Sequence, residues 1–374
     1  MTDFLPFTRP TIDEATIADV VAVLRSGWIA SGPKVAELES GLARYLGGTR
    51  HVRVMTSATG GLEMALRALG VGPGAEVIVP AMSFAASANV VVRVGARPVF
   101  VDVDLRSRNA TPAAIAAAIT PRTRAIMPVH FAGLAVDMDP VNALAARHGL
   151  RVLEDAAHAI GTRYRGRLIG SFGDVACFSF HPNKNMTTIE GGALSYADDA
   201  LSLPLDRERF HGISKDAAGN VDVYEAGGKY NLTDVAAAVG IGQLRELENF
   251  NARRRALAAH YFTRLEGRVA PDMLPLPGDA GHSWHLFGFL VPLGSLGYSR
   301  DEFVARLRAR GIGVGIHYPS IPGLTYYRQQ GADPRAFPNA GRIGAETVTL
   351  PLFPAMTTAD VDRVCDALLD LIAR

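Results

Sequence analysis

Between Arg151 and Gly192 this 374-residue chain gathers most of the groups it could use for chemistry. An apolar run ends in two carboxylates, Glu154 and Asp155, and His158 follows shortly after. A second apolar run, Val175 to Phe180, carries Ser179 and leads through His181 to Lys184, in a polar turn closed by Gly191 and Gly192. Lys184 stands out against the composition. Of 38 Lys plus Arg, four are lysine, at positions 34, 184, 215 and 229. Arginine does not lose its proton in proteins, so it cannot replace lysine where a neutral amine is needed. A lysine kept beside a carboxylate and a histidine is a candidate Schiff-base former. The alternative for Lys184 is an ordinary exposed lysine.

A second locus lies upstream. A short strand, His51 to Met55, runs into Thr56, Ser57, Ala58, Thr59, Gly60 and Gly61, and a helix is expected from Leu62 to Leu69. Small residues at a strand-to-helix turn leave backbone N–H groups free, and with the helix dipole they suit a phosphate. The alternative is a plain tight turn with a Ser/Thr cap. Neither GxxxxGK[ST] nor GxGxxG occurs, which argues against a nucleoside triphosphate or a dinucleotide.

Regular elements must position these groups, and the pattern supplies them. Apolar, β-rich runs recur at Glu76 to Val79, Pro98 to Val101, Ala125 to Val129 and Arg151 to Leu153. Helices alternate with them. One begins near Ser87, one is capped by Thr111 with Pro112 first, and one is capped by Asp139 with Pro140 first and Gly149 as its stop. Such alternation implies a mostly parallel sheet covered on both faces, with ligands beyond the carboxyl ends of the strands. Val175 to Phe180 and Gly192 to Tyr196 lack a helix between them, so an antiparallel pair is expected. The fold class is therefore α/β, with a seven-stranded, mostly parallel sheet in a large domain at 1–249. A smaller α/β domain is expected at 250–374.

Finer expectations follow from local signals. Thr11 and Glu14 read as a capping box for a first helix to Ser26, and Val35 to Leu46 reads as a second helix. Asp206 to Lys229 reads as a long surface loop. Thr233 caps a long helix to about Leu265, in which Arg253, Arg254 and Arg255 form a solvated face. Further on, Trp284 to Pro292 and Ile312 to His317 read as strands, Ser299 opens a helix that Gly311 ends, and Thr357 caps a last helix to Ile372.

Composition limits the function classes. The chain is 48% hydrophobic and 20% charged with a net charge of +1, so it has no basic field for nucleic acid and no polybasic patch for a membrane. Cys177 and Cys365 make neither a zinc spacing nor a disulfide framework. The opening MTDFLPFTRP does not read as a signal peptide, and no uncharged apolar run reaches ~18 residues. A cytoplasmic protein is expected.

A phosphate-type turn, the aromatic Phe84, the strand-end carboxylate Asp155 and the loop lysine Lys184 fall on one rim. Together they match the needs of pyridoxal 5'-phosphate. Its phosphate takes N–H donors, its ring an aromatic face, its pyridine nitrogen a carboxylate, and its aldehyde a lysine. The chain also resembles, nearly end to end, the DegT/DnrJ/EryC1/StrS family of sugar aminotransferases, which have the aspartate aminotransferase fold (fold type I). The stretches that carry the resemblance include SGWIASGPKV, SATGGLEMALRALGVGPGAEVIVP, GARPVFVDVD, PVHFAG, EDAAHAIGT, FSFHPNKNMTTIEGG, GGKYNLTDVAAAVGIGQL and VTLPLFPAMT. FLPFTRP, KYNLTD and WHLF look most like the subgroup that makes UDP-4-amino-4-deoxy-L-arabinose from the 4-keto sugar.

The resemblance implies roles residue by residue. Lys184 matches the lysine of the internal aldimine, which also shuttles the proton, and Asp155 matches the pyridinium partner. His158 matches a Gln/His position that contacts the ring or its phenolic oxygen; a satisfied structural histidine is the alternative. Ser57, Ala58, Thr59 and Ser179 match phosphate contacts. Phe84 matches the aromatic that covers the ring, with a core phenylalanine as its rival. Asn231 matches a residue that reaches the phosphate of the neighbouring subunit, which implies a homodimer with shared active sites. His317 is a candidate on the sugar side or a buried structural histidine, and His317-Tyr318-Pro319 resembles the wider family more than the arabinose subgroup. The implied reaction moves an amino group from L-glutamate to a nucleotide-linked 4-keto or 3-keto sugar. Two rivals share the fold. One is a cofactor-dependent sugar dehydratase, in which the lysine is replaced, commonly by histidine. The other is a non-catalytic regulatory protein.

Overall fold

Seven strands build the central sheet: β1 (His51–Met55), β2 (Glu76–Pro80), β3 (Arg97–Val101), β4 (Thr123–Ile126), β5 (Arg151–Asp155), β6 (Val175–Ser179) and β7 (Gly192–Tyr196). Their order across the sheet is β1-β7-β6-β5-β4-β2-β3. The computed structural model describes residues 4–373; Met1 to Asp3 of the opening read above, and Arg374, lie outside the described residues. Strand β7 runs antiparallel to both of its neighbours, and the other pairings are parallel. The expected antiparallel pair is therefore β6 with β7. All five residues of β2, β6 and β7 are buried, as expected of strands covered on both faces. The register places the site: Gly192, which opens β7, lies opposite both Met55 at the end of β1 and Ser179 at the end of β6. Asp155 ends β5, one strand further on, opposite Cys177. Gly192 is required there, because a Cβ on it would sit 2.6 Å from the Ala58 nitrogen and 2.7 Å from the Phe178 carbonyl.

Several helix boundaries differ from expectation. Helix α1 (Glu14–Ser26) is capped by Asp13, not by Thr11. The Asp13 carboxylate accepts the Thr16 N–H at 2.7 Å, while the Thr11 carbonyl accepts from Gln243 in the long helix. Helix α2 (Pro33–Tyr45) is capped from far away. The buried Asp234 carboxylate accepts the N–H groups of Gly32, Lys34 and Val35 at 2.8–3.1 Å, an anion seated on a helix N-terminus. Helix α3 (Ala58–Ala68) begins four residues before the expected start, so Thr59, Gly60 and Gly61 are helical. Their small size reflects close packing: a Cβ on Gly60 would meet Tyr230 at 2.8 Å, and one on Gly61 would meet Cys177 at 2.9 Å. Helices α4 (Ala86–Arg93) and α5 (Pro112–Ala117) follow, the latter capped by Thr111 as expected. Helix α6 (Met138–His148) starts one residue before Asp139, whose N–H is held by the Tyr164 hydroxyl at 3.2 Å; Gly149 ends it in the left-handed region as expected.

The stretch expected as a loop holds the end of α7 (Ser202–Arg209) and a hairpin of Ile213–Lys215 with Val221–Val223. Beyond it, α8 (Asp234–Leu265) is one helix of 32 residues, and Thr233 caps it through the Ala236 N–H. Its first half packs Leu247 into the core around the sheet, and its second half packs Leu257, Tyr261 and Leu265 into a second core. Residue 249, the expected domain boundary, lies inside this helix. The second core gathers β8 (Phe287–Leu290), β9 (Thr347–Leu350), α9 (Arg300–Ala309) and α10 (Thr358–Ile372). Leu5 also packs there and bridges Ile312. Ile312 to His317 forms isolated bridges rather than the expected strand. Arg254 is not on a solvated face: it is 2% exposed and donates to the carbonyls of Trp284, His285 and Leu352. Apolar periodicity could not show that irregular chain ends on that side of α8, where free carbonyls need a donor. Among the described residues no helix is long and apolar enough to cross a membrane.

Candidate active site

A cavity of about 390 Å³ opens where β1, β5 and β6 end. Ser57, Ala58 and Thr59 line it from the first turn of α3, Asp155 from β5, Ser179 from β6, and Lys184 from the β6–β7 connection. Phe84, His158 and His317 line it as well. The structure thus brings nine of the ten candidate site residues to one cavity. Asn231 is the exception. It pairs with Met55 across an isolated bridge and contacts Ser31 and Lys229, beside a different depression. A larger cleft, about 580 Å³, lies near the amino ends of β2 and β3. Its buried carboxylate, Glu76, is already held by Arg97, Arg122 and Thr120.

Asp155 is buried and fixed on both oxygens. Oδ2 accepts from the Ser87 hydroxyl at 2.6 Å, and Oδ1 accepts from the Ala157 N–H at 3.1 Å. Ser83 Oγ lies 2.8 Å from Ser87 Oγ. A hydroxyl has one proton, and that of Ser87 goes to the carboxylate, so Ser83 donates to Ser87. Ser87 therefore does more than open a helix, and its sequence neighbourhood carried no sign of this.

Lys184 is held through its backbone and its neighbour, not through its amine. Its N–H donates to the His181 carbonyl at 2.9 Å. Next to it, the buried Asn185 amide donates to Asn251 of α8 at 2.7 Å and to the Ser283 carbonyl at 2.8 Å. The Lys184 amine makes no hydrogen bond or ion pair with any described residue. Burial pushes it down to about 8, opposed by the charge of Asp155. A far larger share is neutral at pH 7 than for an ordinary lysine.

Ser57 caps α3, accepting the Gly60 N–H at 3.0 Å. The N–H groups of Ala58 and Thr59 carry no such cap and stand with the positive end of an 11-residue helix toward the cavity. Phe84 is 57% exposed at the mouth, 5.4 Å from the Tyr318 ring, so it is not the core phenylalanine that rivalled its ring-covering role. His317 stacks on Phe7, and its Nδ1 lies 2.9 Å from Thr349 Oγ1. Burial, then the nearby Lys184 charge, brings it down to about 4, so it is neutral.

His158 is buried against His285, whose ring is tilted to it at 4.5 Å, and meets Phe131 edge to face. Its Nδ1 accepts the Ala132 N–H at 3.2 Å, and its Nε2 lies 3.2 Å from the Tyr318 hydroxyl. Burial, then the charge of Lys184, pushes it well below the usual histidine range. Tyr318 also lines the cavity and was not among the expected site residues. The only sequence signal for it was its place next to His317.

The model of a family described as the DegT/DnrJ/EryC1/StrS aminotransferase family matches residues 10–369. Among solved structures, Spr1654 of Streptococcus pneumoniae, assigned as a sugar aminotransferase and seen in its PMP form, is 32% identical. The match covers 99% of this chain and 98% of that one, with a TM-score of 0.92. S. venezuelae DesV, in complex with a ketimine intermediate, is 36% identical over 100% of both chains, with a TM-score of 0.90. Helicobacter pylori PseC, an aminotransferase involved in the biosynthesis of pseudoaminic acid, is 26% identical. That match covers 99% of this chain and 100% of PseC, with a TM-score of 0.91.

Proposed function

This chain belongs to the DegT/DnrJ/EryC1/StrS aminotransferase family, and on that premise we propose that it moves an amino group from L-glutamate to a nucleotide-linked 4-keto or 3-keto sugar. It is a sugar aminotransferase, and its cofactor is pyridoxal phosphate. The donor set of the cavity fits that group. The uncapped N–H groups of Ala58 and Thr59, at the positive end of α3, suit its phosphate, with Ser57 and Ser179 beside them. Asp155 suits the ring nitrogen, and Lys184 is the one lysine or arginine among the described lining residues. When bound, the cofactor supplies an electron sink for the carbanion at the reacting carbon.

The chain's own groups do the rest. Ser87 and the Ala157 N–H hold Asp155 as an oriented carboxylate, the form that keeps a facing ring nitrogen protonated. Lys184 would hold the cofactor at its aldehyde carbon and, once displaced by the amino donor, would move a proton between the substrate carbon and the cofactor carbon in each half-reaction. An amine brought down to about 8 suits both steps near neutral pH. Phe84 covers the ring from the mouth, and His317 faces the sugar. With no arginine among the described lining residues, the two carboxylates of glutamate need cations from elsewhere. A neighbouring subunit in a homodimer would supply them, along with Asn231 toward the phosphate. The exposed Trp28, Ile29, Phe210, Val221, Val223 and Tyr224 support such an interface. We place the enzyme in the cytoplasm.

One observation carries this reading: an amine without a partner shares a cavity with a carboxylate fixed on both oxygens. Borohydride reduction of the cofactor-loaded protein should attach the cofactor to Lys184, read by peptide mass. A panel of UDP-, GDP- and dTDP-linked ketosugars, incubated with glutamate, should give one aminated product. A label on another residue would end the Lys184 assignment, and no product from any ketosugar would end the substrate assignment.

A further inference from the structure

We propose that Tyr318 delivers a hydrogen bond to an oxygen of the bound ligand, and that His158 is a positioning residue acting through Tyr318. The inference rests on the reading that cofactor and keto sugar occupy this cavity.

Proton counting along three groups assigns the direction. The Ala132 N–H points at Nδ1 of His158, 3.2 Å away. A ring nitrogen that accepts a hydrogen bond carries no proton, so the proton of the neutral imidazole is on Nε2. Nε2 lies 3.2 Å from the Tyr318 hydroxyl, and that hydroxyl must accept. The phenol's own proton is then directed elsewhere, and no other described residue hydrogen-bonds with Tyr318. Tyr318 lines the same cavity as Lys184 and Asp155. Its ring is set by Phe84 at 5.4 Å, Phe131 at 6.2 Å and His317 at 4.8 Å. Burial, then the charge of Asp155, pushes the phenol up, so it keeps its proton near neutral pH. His158 cannot replace it, because both of its nitrogens are engaged and its ring is packed between His285 and Phe131.

The acceptor is an oxygen that holds or gains negative charge. Two oxygens in this reaction have that chemistry: the cofactor's ring oxygen and the keto oxygen of the sugar. A donor to such an oxygen stabilises the more negative form.

Tyr318→Phe keeps the ring and removes the donor. Without substrate, the visible band of the cofactor-loaded protein is titrated with pH, and cofactor affinity is measured by fluorescence. The band also senses Asp155, His158, His181, Lys184, Glu190 and His317, which line the same cavity, so wild type is the reference. If the acceptor is the cofactor's oxygen, the midpoint rises by about one pH unit, since the deprotonated form loses its donor, and affinity falls. If it is the sugar's oxygen, band and affinity stay put. Transfer from the amino-loaded enzyme to the ketosugar then slows about tenfold or more in single turnover, and the glutamate half-reaction is unchanged. Wild-type values for band, affinity and both half-reactions would overturn the proposal. Adding His158→Ala to Tyr318→Phe should cost little more. Full additivity would mean that His158 reaches the ligand itself, and would overturn the relay. If Tyr318→Phe does not fold, Tyr318→3-fluorotyrosine keeps the shape with a stronger donor, and the same readouts should move the opposite way. Borohydride labelling of Lys184 in each variant separates this test from the cofactor assignment: a labelled Lys184 with unchanged readouts refutes Tyr318 alone.

Discussion

Asp155 and Lys184 face one cavity and are held in opposite ways. The carboxylate ends a buried strand, accepts from Ser87 and from the Ala157 N–H, and has a second hydroxyl, Ser83, behind the first. The lysine sits on a connection whose backbone is tied down by Asn185, Asn251 and Ser283, while its amine has no partner. The difference matches two tasks. A group that must stay charged and oriented gains from hydrogen bonds to its charged form. A group that must lose its proton and form a bond is helped by burial without hydrogen bonds to its charged form, here strong enough to outweigh the charge of Asp155.

Removing each part should sharpen that contrast, beginning with the largest effect. Lys184→Ala should lower transamination more than about a thousandfold with the fold intact, checked by turnover with glutamate and ketosugar alongside circular dichroism. Native turnover in this variant would remove the lysine from its role. Asp155→Ala should lower turnover by about a hundredfold or more and weaken cofactor retention, read by kinetics and by absorbance after dialysis. Ser87→Ala leaves the carboxylate but strips its shortest hydrogen bond. About a tenfold fall in kcat is expected, and an unchanged kcat would show that the Ala157 N–H suffices.

The smallest effect concerns stability. Burial lowers the Lys184 amine from 10.5 to about 8, so the folded chain binds fewer protons than the unfolded chain between those values. The cost of holding the ammonium in the fold is therefore full below about pH 8 and vanishes by 10.5. Cofactor-free Lys184→Met should melt a few degrees above cofactor-free wild type at neutral pH, and the gap should close as pH rises through that window. A gap independent of pH would assign the gain to packing instead.

Much of this was legible in the sequence. The seven strands and the antiparallel β6–β7 pair followed from the spacing of apolar runs, because strand periodicity is local. Lys184 and Asp155 were marked by residue type at strand ends and turns. The start of α3 was misread because Gly60 and Gly61 look like turn residues. In the fold they are small so that Tyr230 and Cys177 can approach. Arg254 read as one of three surface arginines, yet it serves carbonyls that only the returning segment around residues 284–285 brings to it.

By itself, the sequence determined which chemical groups exist and on which local elements they sit, since helix caps, strand runs and a rare lysine are properties of neighbouring residues. The tertiary structure alone decided which groups share protons. Ser87 reaches Asp155 across 68 positions, and His158 reaches Tyr318 across 160. A hydrogen bond needs its two atoms within about 3 Å. Distances that short between remote segments come only from how the layers pack, and they left the Tyr318 hydroxyl with its proton directed away from His158.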